Sequence, residues 1–254
     1  MDKVNTAIFA DKSVGKEAIE FILSHHKDDL KYVLFTDDSS ILKEIDIPIK
    51  EVIHYNINLY SDENIKKLKS LELDYIILAW WPYIIKSPLF NCVKKGIINF
   101  HPSLLPYNRG KHYNFWNIIE EVPFGVSLHF IDENIDSGDI IFQKEIEKTW
   151  EDNGKTLFDK AQENMTQLFS EAYPEIRKEN YNRKKQDLSK GSFHLAKELT
   201  NAAKIDLNKS YKARDLINII RAKTFSPYPA AWFEDDNKKY EITISIKEVS
   251  NGKF

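Results

Sequence analysis

The sequence predicts an α/β protein: a doubly wound, mostly parallel sheet followed by a small C-terminal α+β region. Two observations carry this. From Val4 to Phe100, short β-branched runs alternate with amphipathic runs, the pattern of βαβ units whose crossover helices make neighbouring strands parallel. Past Pro174 the composition turns basic and poor in large apolar groups, which marks the end of the sheet's supply of core residues.

Taken in order, Val4 to Ala10 reads as a strand and Gly15 to His25 as a helix burying Ala18, Ile19 and Ile22. Tyr32 to Thr36 and Glu51 to Tyr55 read as strands, Glu63 to Leu71 as a helix and Asp74 to Ala79 as the next strand. A helix near Pro88 to Lys95 then leads into an apolar strand, Gly96 to Phe100. Val126, Leu128 and Phe130 alternate with Ser127, His129 and Ile131, the period of a strand with two different faces, and Asp139 to Ile146 is its successor. Leu157, Phe158, Ala161, Met165, Leu168, Phe169 and Ala172 recur at helical spacing, so a long helix over Lys155 to Ala172 closes a first domain, 1–173. Arg177, Lys178, Arg183, Lys184, Lys185 and Lys190 make 174–190 an exposed basic linker. In 191–254, Ser210 is placed to cap a helix with Ala213, Leu216, Ile217 and Ile220 on one face. Ala231 to Phe233 and Lys239 to Ile246 then alternate as a hairpin around Asp235-Asp236-Asn237.

Composition narrows the function classes. A net charge of −3 over 254 residues supplies no long-range attraction for a polyanion, so nucleic acid is not an expected partner. The opening Met1-Asp2-Lys3-Val4-Asn5-Thr6 lacks the apolar stretch of a signal peptide, and no run of about eighteen apolar residues occurs, so a soluble cytoplasmic protein without a membrane partner is expected. The single cysteine, Cys92, lies at helical spacing in Leu89 to Lys95 and reads as a packed thiol. No Cys/His cluster has zinc spacing, and no metal is expected.

The run Ile98-Asn99-Phe100-His101-Pro102-Ser103-Leu104-Leu105-Pro106 places an amide and an imidazole at a strand's carboxyl end, where open α/β sheets bind ligands. Downstream, Asp132-Glu133-Asn134-Ile135-Asp136-Ser137-Gly138-Asp139 is an acidic turn. Moving an acyl group onto an amine needs a donor for the oxygen that becomes negative, a base for the amine proton and a carboxylate to orient that base. Asn99, His101 and Asp136 supply these three groups.

At these residues the chain resembles the folate-dependent formyltransferase family. Asn99 to Pro106 is similar to the family's Asn-x-His-Pro-Ser-Leu-Leu-Pro and Asp132 to Gly138 to its Asp-x-x-x-Asp-x-Gly turn, within a matching stretch from Asp74 to Gln143. Arg221-Ala222 with Pro227-Tyr228-Pro229-Ala230 resembles a later segment of the family's tRNA and sugar enzymes. The resemblance implies a Rossmann-like fold, 10-formyltetrahydrofolate as donor and Asn99, His101 and Asp136 as catalytic residues. It lies closest to the nucleotide-sugar enzymes, implying a cytoplasmic homodimer that formylates a dTDP-linked amino dideoxy sugar in lipopolysaccharide O-antigen biosynthesis. It also implies that Trp81, Tyr83 and Ile85, with Asp132 and Ile135, form a slot for the folate pteridine.

For the acceptor, Arg109, Gly110 and Lys111 suit a diphosphate, Arg as a planar fork and Gly by letting backbone amides approach. Ser13 and Lys16 open a helix after the first strand, a second anion site. Phe225 and Tyr228 could stack on a nucleobase or form the small domain's own core. His129 reads as a hydrogen-bonded packing residue, and His194 carries no signal. Three rivals stand. A methionyl-tRNA formyltransferase is expected to have a longer basic C-terminal domain. A formyltetrahydrofolate hydrolase is expected to carry an N-terminal domain for which Met1 to Asn5 leaves no room. A non-catalytic sugar-nucleotide binding module would have no need of all three triad residues.

Overall fold

The computed structural model describes residues 3–36, 45–47, 52–55 and 59–249. Met1, Asp2 and Glu51, which entered the readings above, lie outside them. The chain forms β1 (Thr6–Ala10), α1 (Lys12–His25), β2 (Leu30–Thr36), β3 (Val52–Tyr55), α2 (Asp62–Ser70), β4 (Leu73–Ala79) and β5 (Val93–His101). Next come β6 (Arg109–Gly110), α3 (Tyr113–Glu120), β7 (Gly125–Phe130), β8 (Ile140–Glu145) and α4 (Gly154–Arg177). The chain continues with β9 (Phe193–His194), α5 (Glu198–Ala202), α6 (Ala213–Lys223), β10 (Ala231–Asp235) and β11 (Lys238–Ile242).

Seven strands pair in the order β3-β2-β1-β4-β5-β7-β8. β1, β2, β3, β4 and β5 pair in parallel, and β7 is antiparallel to β5. This is the doubly wound, mostly parallel sheet expected. Its central strands are continuous apolar runs because helices cover both faces: Ala7, Ile8, Phe9, Ile76 and Ile77 are all fully buried.

Some elements differ from expectation. The helix expected near Pro88 to Lys95 is a 3-10 turn over Ser87–Cys92, and Val93, Lys94 and Lys95 already belong to β5. Val93 to Ile98, with β-branched Val93, Ile97 and Ile98, pairs with β4, and sheet pairing prevails over a helix too short to sustain itself. Cys92 is a buried free thiol whose pKa burial raises, in keeping with packing.

α4 continues through Pro174 to Arg177, and its last turn buries Tyr173 and Ile176. Arg177 and Tyr173 both hydrogen-bond the buried carboxylate of Asp29. The basic segment beyond is mostly exposed in its side chains but is not a loose linker. Lys184 and Ile140 exchange both backbone hydrogen bonds at 2.9 Å, and Tyr181 meets the Tyr75 hydroxyl at 3.0 Å.

Ser210 does not cap α6: Lys212 is the residue preceding it, and Ala213 is exposed. Of the expected face, Ile220 is buried and Leu216 packs on the same cluster, and the helix also buries Asn218, Arg221 and Ala222. The Arg221 guanidinium donates to the carbonyl oxygens of Thr149 and Asp152 and lies against Trp150, which satisfies a charge that burial would otherwise penalise. β10 and β11 form the expected hairpin, closed by Asp236 and Asn237, both at positive φ as a two-residue hairpin turn requires.

By compactness the chain divides into two units that interleave in sequence. The first, Met1–His101, Ser127–Gln143 and Glu163–Gln186, holds most of the seven-stranded sheet. The second, Pro102–Val126, Lys144–Gln162 and Asp187–Phe254, holds α3 packed on α6, the β6-β9 pair and the hairpin.

Candidate active site

Strand periodicity places the polar residues of β5 and β7 on one surface. The antiparallel register sets Asn99 opposite His129 and His101 opposite Ser127. Directly opposed residues share a face, and so do residues two apart, so all four side chains project together. Between them, Phe100 points the other way and packs on Phe169 at 4.9 Å.

Ser127 and His129 are fully buried and His101 nearly so, and each has a polar partner, as buried polar groups require. His129 Nδ1 lies 2.8 Å from the Phe130 carbonyl oxygen, to which it donates, leaving Nε2 to accept from Asn99 Nδ2 at 3.2 Å. Burial pushes the His129 pKa down to about 4, so the ring is neutral near pH 7. This bond turns the Asn99 amide nitrogen towards His129 while its second hydrogen remains to donate. Gln143 Nε2 donates to Ser127 Oγ at 2.9 Å.

After β7 the chain doubles back. His101 Nδ1 stands 3.4 Å from Asp136 Oδ2, and His129 Nε2 stands 3.8 Å from Asp136 Oδ1. The turn is built by its own polar groups: Asp132 Oδ1 accepts from the Asn134 amide at 3.0 Å and from Ser137 Oγ at 2.7 Å. Asp136 sits at φ +52°, a left-handed conformation that Asp tolerates. Gly138 passes so close to Phe130 that a Cβ would lie 1.9 Å from its carbonyl oxygen, so no other residue fits there. The donor atoms of His101, His129 and Asp136 all lie within 4.8 Å of one another. The arrangement suits proton exchange.

The residues expected around a pteridine follow β4 and the acidic turn. Trp81 is largely buried, 5.4 Å from Phe9 and edge-on to Tyr83. Trp81, Ile85 and Ile131 share one apolar cluster, which joins the loop after β4 to the start of the acidic turn. Tyr83 and Ile135 keep nearly half of their surface exposed. Asp132 commits its Oδ1 to the turn.

In the second unit, Arg109 and Gly110 form β6 against β9. The Arg109 and Lys111 amides donate to the Ser192 and His194 carbonyls at 3.0 Å each. This corrects the expectation that glycine frees backbone amides for a ligand. Gly110, at φ +89°, is required by the close approach of the His194 carbonyl, 2.2 Å from where a Cβ would sit. Arg109 Nε is buried and makes no hydrogen bond among the described residues, and Lys111 is exposed.

Ser13 and Lys16 are a further correction. Helix α1 begins at Lys12, so Ser13 lies inside it, and the residue before the helix is Asp11, a buried carboxylate that accepts from the Thr36 hydroxyl at 2.5 Å and whose negative charge disfavours an anion there. Lys16 pairs with Glu20 at 3.8 Å. Phe225 packs on Phe158 and is met edge-on by Tyr228, which is 61% exposed. Both line a cleft of about 550 Å³ with Glu151, Asn153 and Glu241.

His129 is the hydrogen-bonded packing residue expected from the strand, and what the sequence did not reveal is that it also orients Asn99. His194 had no local signal, yet its ring stacks on Trp116 at 3.7 Å and its two nitrogens face Glu120 Oε1 (2.6 Å) and Glu198 Oε2 (3.0 Å). Glu120 Oε2 accepts in addition from Ser192 Oγ and Asn108 Nδ2.

The formyl transferase family model matches residues 31–173, more than half of the chain and all of Asn99, His101 and Asp136. The chain belongs to the formyl transferase family. Residues 198–248 match the N-formyltransferase dimerization C-terminal domain. The methionyl-tRNA formyltransferase of Fusobacterium nucleatum is 30% identical over 215 residues, covering 80% of this chain and 68% of that protein. Other curated methionyl-tRNA formyltransferases are spanned over only 58 to 64% of their length. Among solved structures, a 4-N formyltransferase from Francisella tularensis is 27% identical with a TM-score of 0.79, covering 96% of this chain and 99% of that one. An N-formyltransferase from Helicobacter canadensis, in complex with folinic acid and dTDP-3-aminofucose, has a TM-score of 0.71 at 22% identity, covering 93% and 86%. This formyltransferase thus shares its fold with enzymes of both the tRNA and the sugar type.

Proposed function

We propose that this formyltransferase moves the formyl group of 10-formyltetrahydrofolate onto the amino group of a nucleotide-linked sugar, a dTDP-linked amino dideoxyhexose, and works as a cytoplasmic homodimer. The observation that carries the chemistry is the β5-β7 register that gathers Asn99, His101 and His129 beside the Asp136 carboxylate. Asn99, its amide turned by His129, donates to the formyl oxygen as negative charge develops there. His101 uses Nε2, the nitrogen away from Asp136, to take the proton shed by the attacking amine, then returns a proton to the departing folate nitrogen. Asp136 stabilises the imidazolium between these steps. Trp81, Tyr83, Ile85 and Ile135 offer apolar surface to the pteridine, and no step calls for a metal.

The Helicobacter canadensis relative carries a dTDP-amino-sugar, and the Francisella tularensis relative, alike over nearly all of both chains, is named a 4-N formyltransferase. In this chain, Arg109 Nε, which has no partner among the described residues, and the exposed Lys111 suit a diphosphate, and Phe225 and Tyr228 suit a base. The match over 198–248 supports a dimer. The second reading, formylation of charged initiator tRNA, is favoured by the 30% identical methionyl-tRNA enzyme. The test is direct: the purified protein with 10-formyltetrahydrofolate and a dTDP-amino-sugar yields a formamide detected by mass. Product only with charged tRNA would replace the sugar reading, and rapid formate release without acceptor would make the protein a hydrolase.

A further inference from the structure

The turn that delivers Asp136 is clamped from outside its own hairpin. The segment after α4 is registered on β8 by the paired backbone bonds of Lys184 and Ile140, each 2.9 Å. Just before it, the Arg183 guanidinium lies 4.1 Å over the Phe130 ring and its Nε stands 3.0 Å from Asp139 Oδ2. These contacts bring in Gln186, whose single amide nitrogen donates to the Asp136 carbonyl at 3.0 Å and to the Gly138 carbonyl at 2.8 Å. The two acceptors settle which way the amide points, because its oxygen in the same place would face two other oxygens. The oxygen, Oε1, is buried and makes no hydrogen bond among the described residues. The side chain therefore contributes its donors, and both go to the carbonyls that bracket Ser137.

We infer that Gln186 is a positioning residue for formyl transfer, holding the Asp136 carboxylate against His101 through the backbone of the acidic turn. The inference rests on the reading of Asp136 as the partner of His101. Asp136 occupies a left-handed conformation that its own turn does not impose on either neighbour, so a change of a few tens of degrees at that residue swings the carboxylate away from the 3.4 Å contact with His101. A displacement of about 1 Å in a catalytic group can lower turnover on the order of 10²-fold.

The test uses the full chain with Gln186→Glu, which keeps the size but replaces the two donors with acceptors, and Gln186→Ala, which removes the side chain. Each lowers kcat roughly 10- to 100-fold with little change in either KM, and shifts the pH profile of kcat. In an Asp136→Asn background the same substitutions change kcat less than about twofold, because residues acting as a unit are not additive. Independently of activity, hydrogen exchange in 132–139 accelerates in both variants while exchange in 125–130 does not. Unaltered exchange overturns the clamp. Faster exchange with wild-type kcat, or full multiplicative loss on top of Asp136→Asn, overturns the positioning role. Wild-type kcat in Asp136→Asn alone removes the reading of Asp136, and the inference with it.

Discussion

The strand pair β5-β7 and the loop Arg109 to Lys111 present their polar groups by different means. In the strand pair, backbone register does the work: opposed and alternate residues share a face, and each polar group needs one neighbour to be satisfied. The loop owes its shape to a polar network, in which His194 lies on Trp116 between Glu120 and Glu198, and the Ser192 and His194 carbonyls accept from the Arg109 and Lys111 amides. With a carboxylate at each imidazole nitrogen, this loop is held by side-chain contacts between distant residues where the strands are held by backbone register. The difference teaches that the proposed chemistry and the proposed acceptor contacts should separate under mutation, pH and salt.

The largest effect expected is on the strand side. His101→Ala lowers kcat by roughly 10²- to 10⁴-fold, the usual contribution of a placed acid-base group. Steady-state turnover checks this, and near wild-type kcat would remove His101 from the mechanism. Asn99→Ala follows, at about 2.7 to 4 kcal/mol in the barrier for loss of one oxyanion donor, appearing in kcat. A change confined to KM would make Asn99 a binding group only.

Stability offers the next test of the same strands. The buried His129 ring, with its pKa lowered from 6.5 to about 4, resists a proton that the unfolded chain accepts. Below about pH 6.5 the unfolded state binds more protons than the native one, so stability is lost as pH falls towards 4 and the loss then levels off. Between pH 6.5 and 4.5 the contribution is about 2 kcal/mol. Urea unfolding at the two pH values measures it; His129→Phe should lack this slope, and an equal slope in that variant would show that other groups carry it.

On the loop side, His194→Ala leaves Glu120 and Glu198 without their shared imidazole and should raise the acceptor KM several-fold with kcat nearly unchanged. Loss of kcat comparable to Asn99→Ala would mean that the two regions are not separable. The smallest effect concerns salt. A sugar diphosphate offers two phosphates, so acceptor binding should depend only shallowly on salt. Binding of tRNA would fall by about 0.7 to 0.9 in log K per phosphate contacted for each decade of salt. A steep slope, with retention of initiator tRNA in a gel shift, would sharpen the comparison in favour of the tRNA reading.

Local pattern made much of this molecule legible: the apolar runs of β1, β4 and β5, the alternation that puts Ser127 and His129 on one face, the hairpin at Asp236-Asn237, and Asn99 and His101 two apart at a strand end. All of these depend on steric and solvation preferences that act between near neighbours in the chain. Tertiary structure decided the rest. A 3-10 turn replaced the helix near Pro88 because pairing with β4 claimed Val93 to Lys95. The amides of the Arg109 loop went to β9, and a buried Asp11 occupied the start of α1. Gln186 meets the Asp136 backbone across 50 residues and His194 meets Glu120 across 74. Hydrogen bonds of that range leave no periodicity in the chain, because they depend on where the sheet and helices bring distant residues to rest.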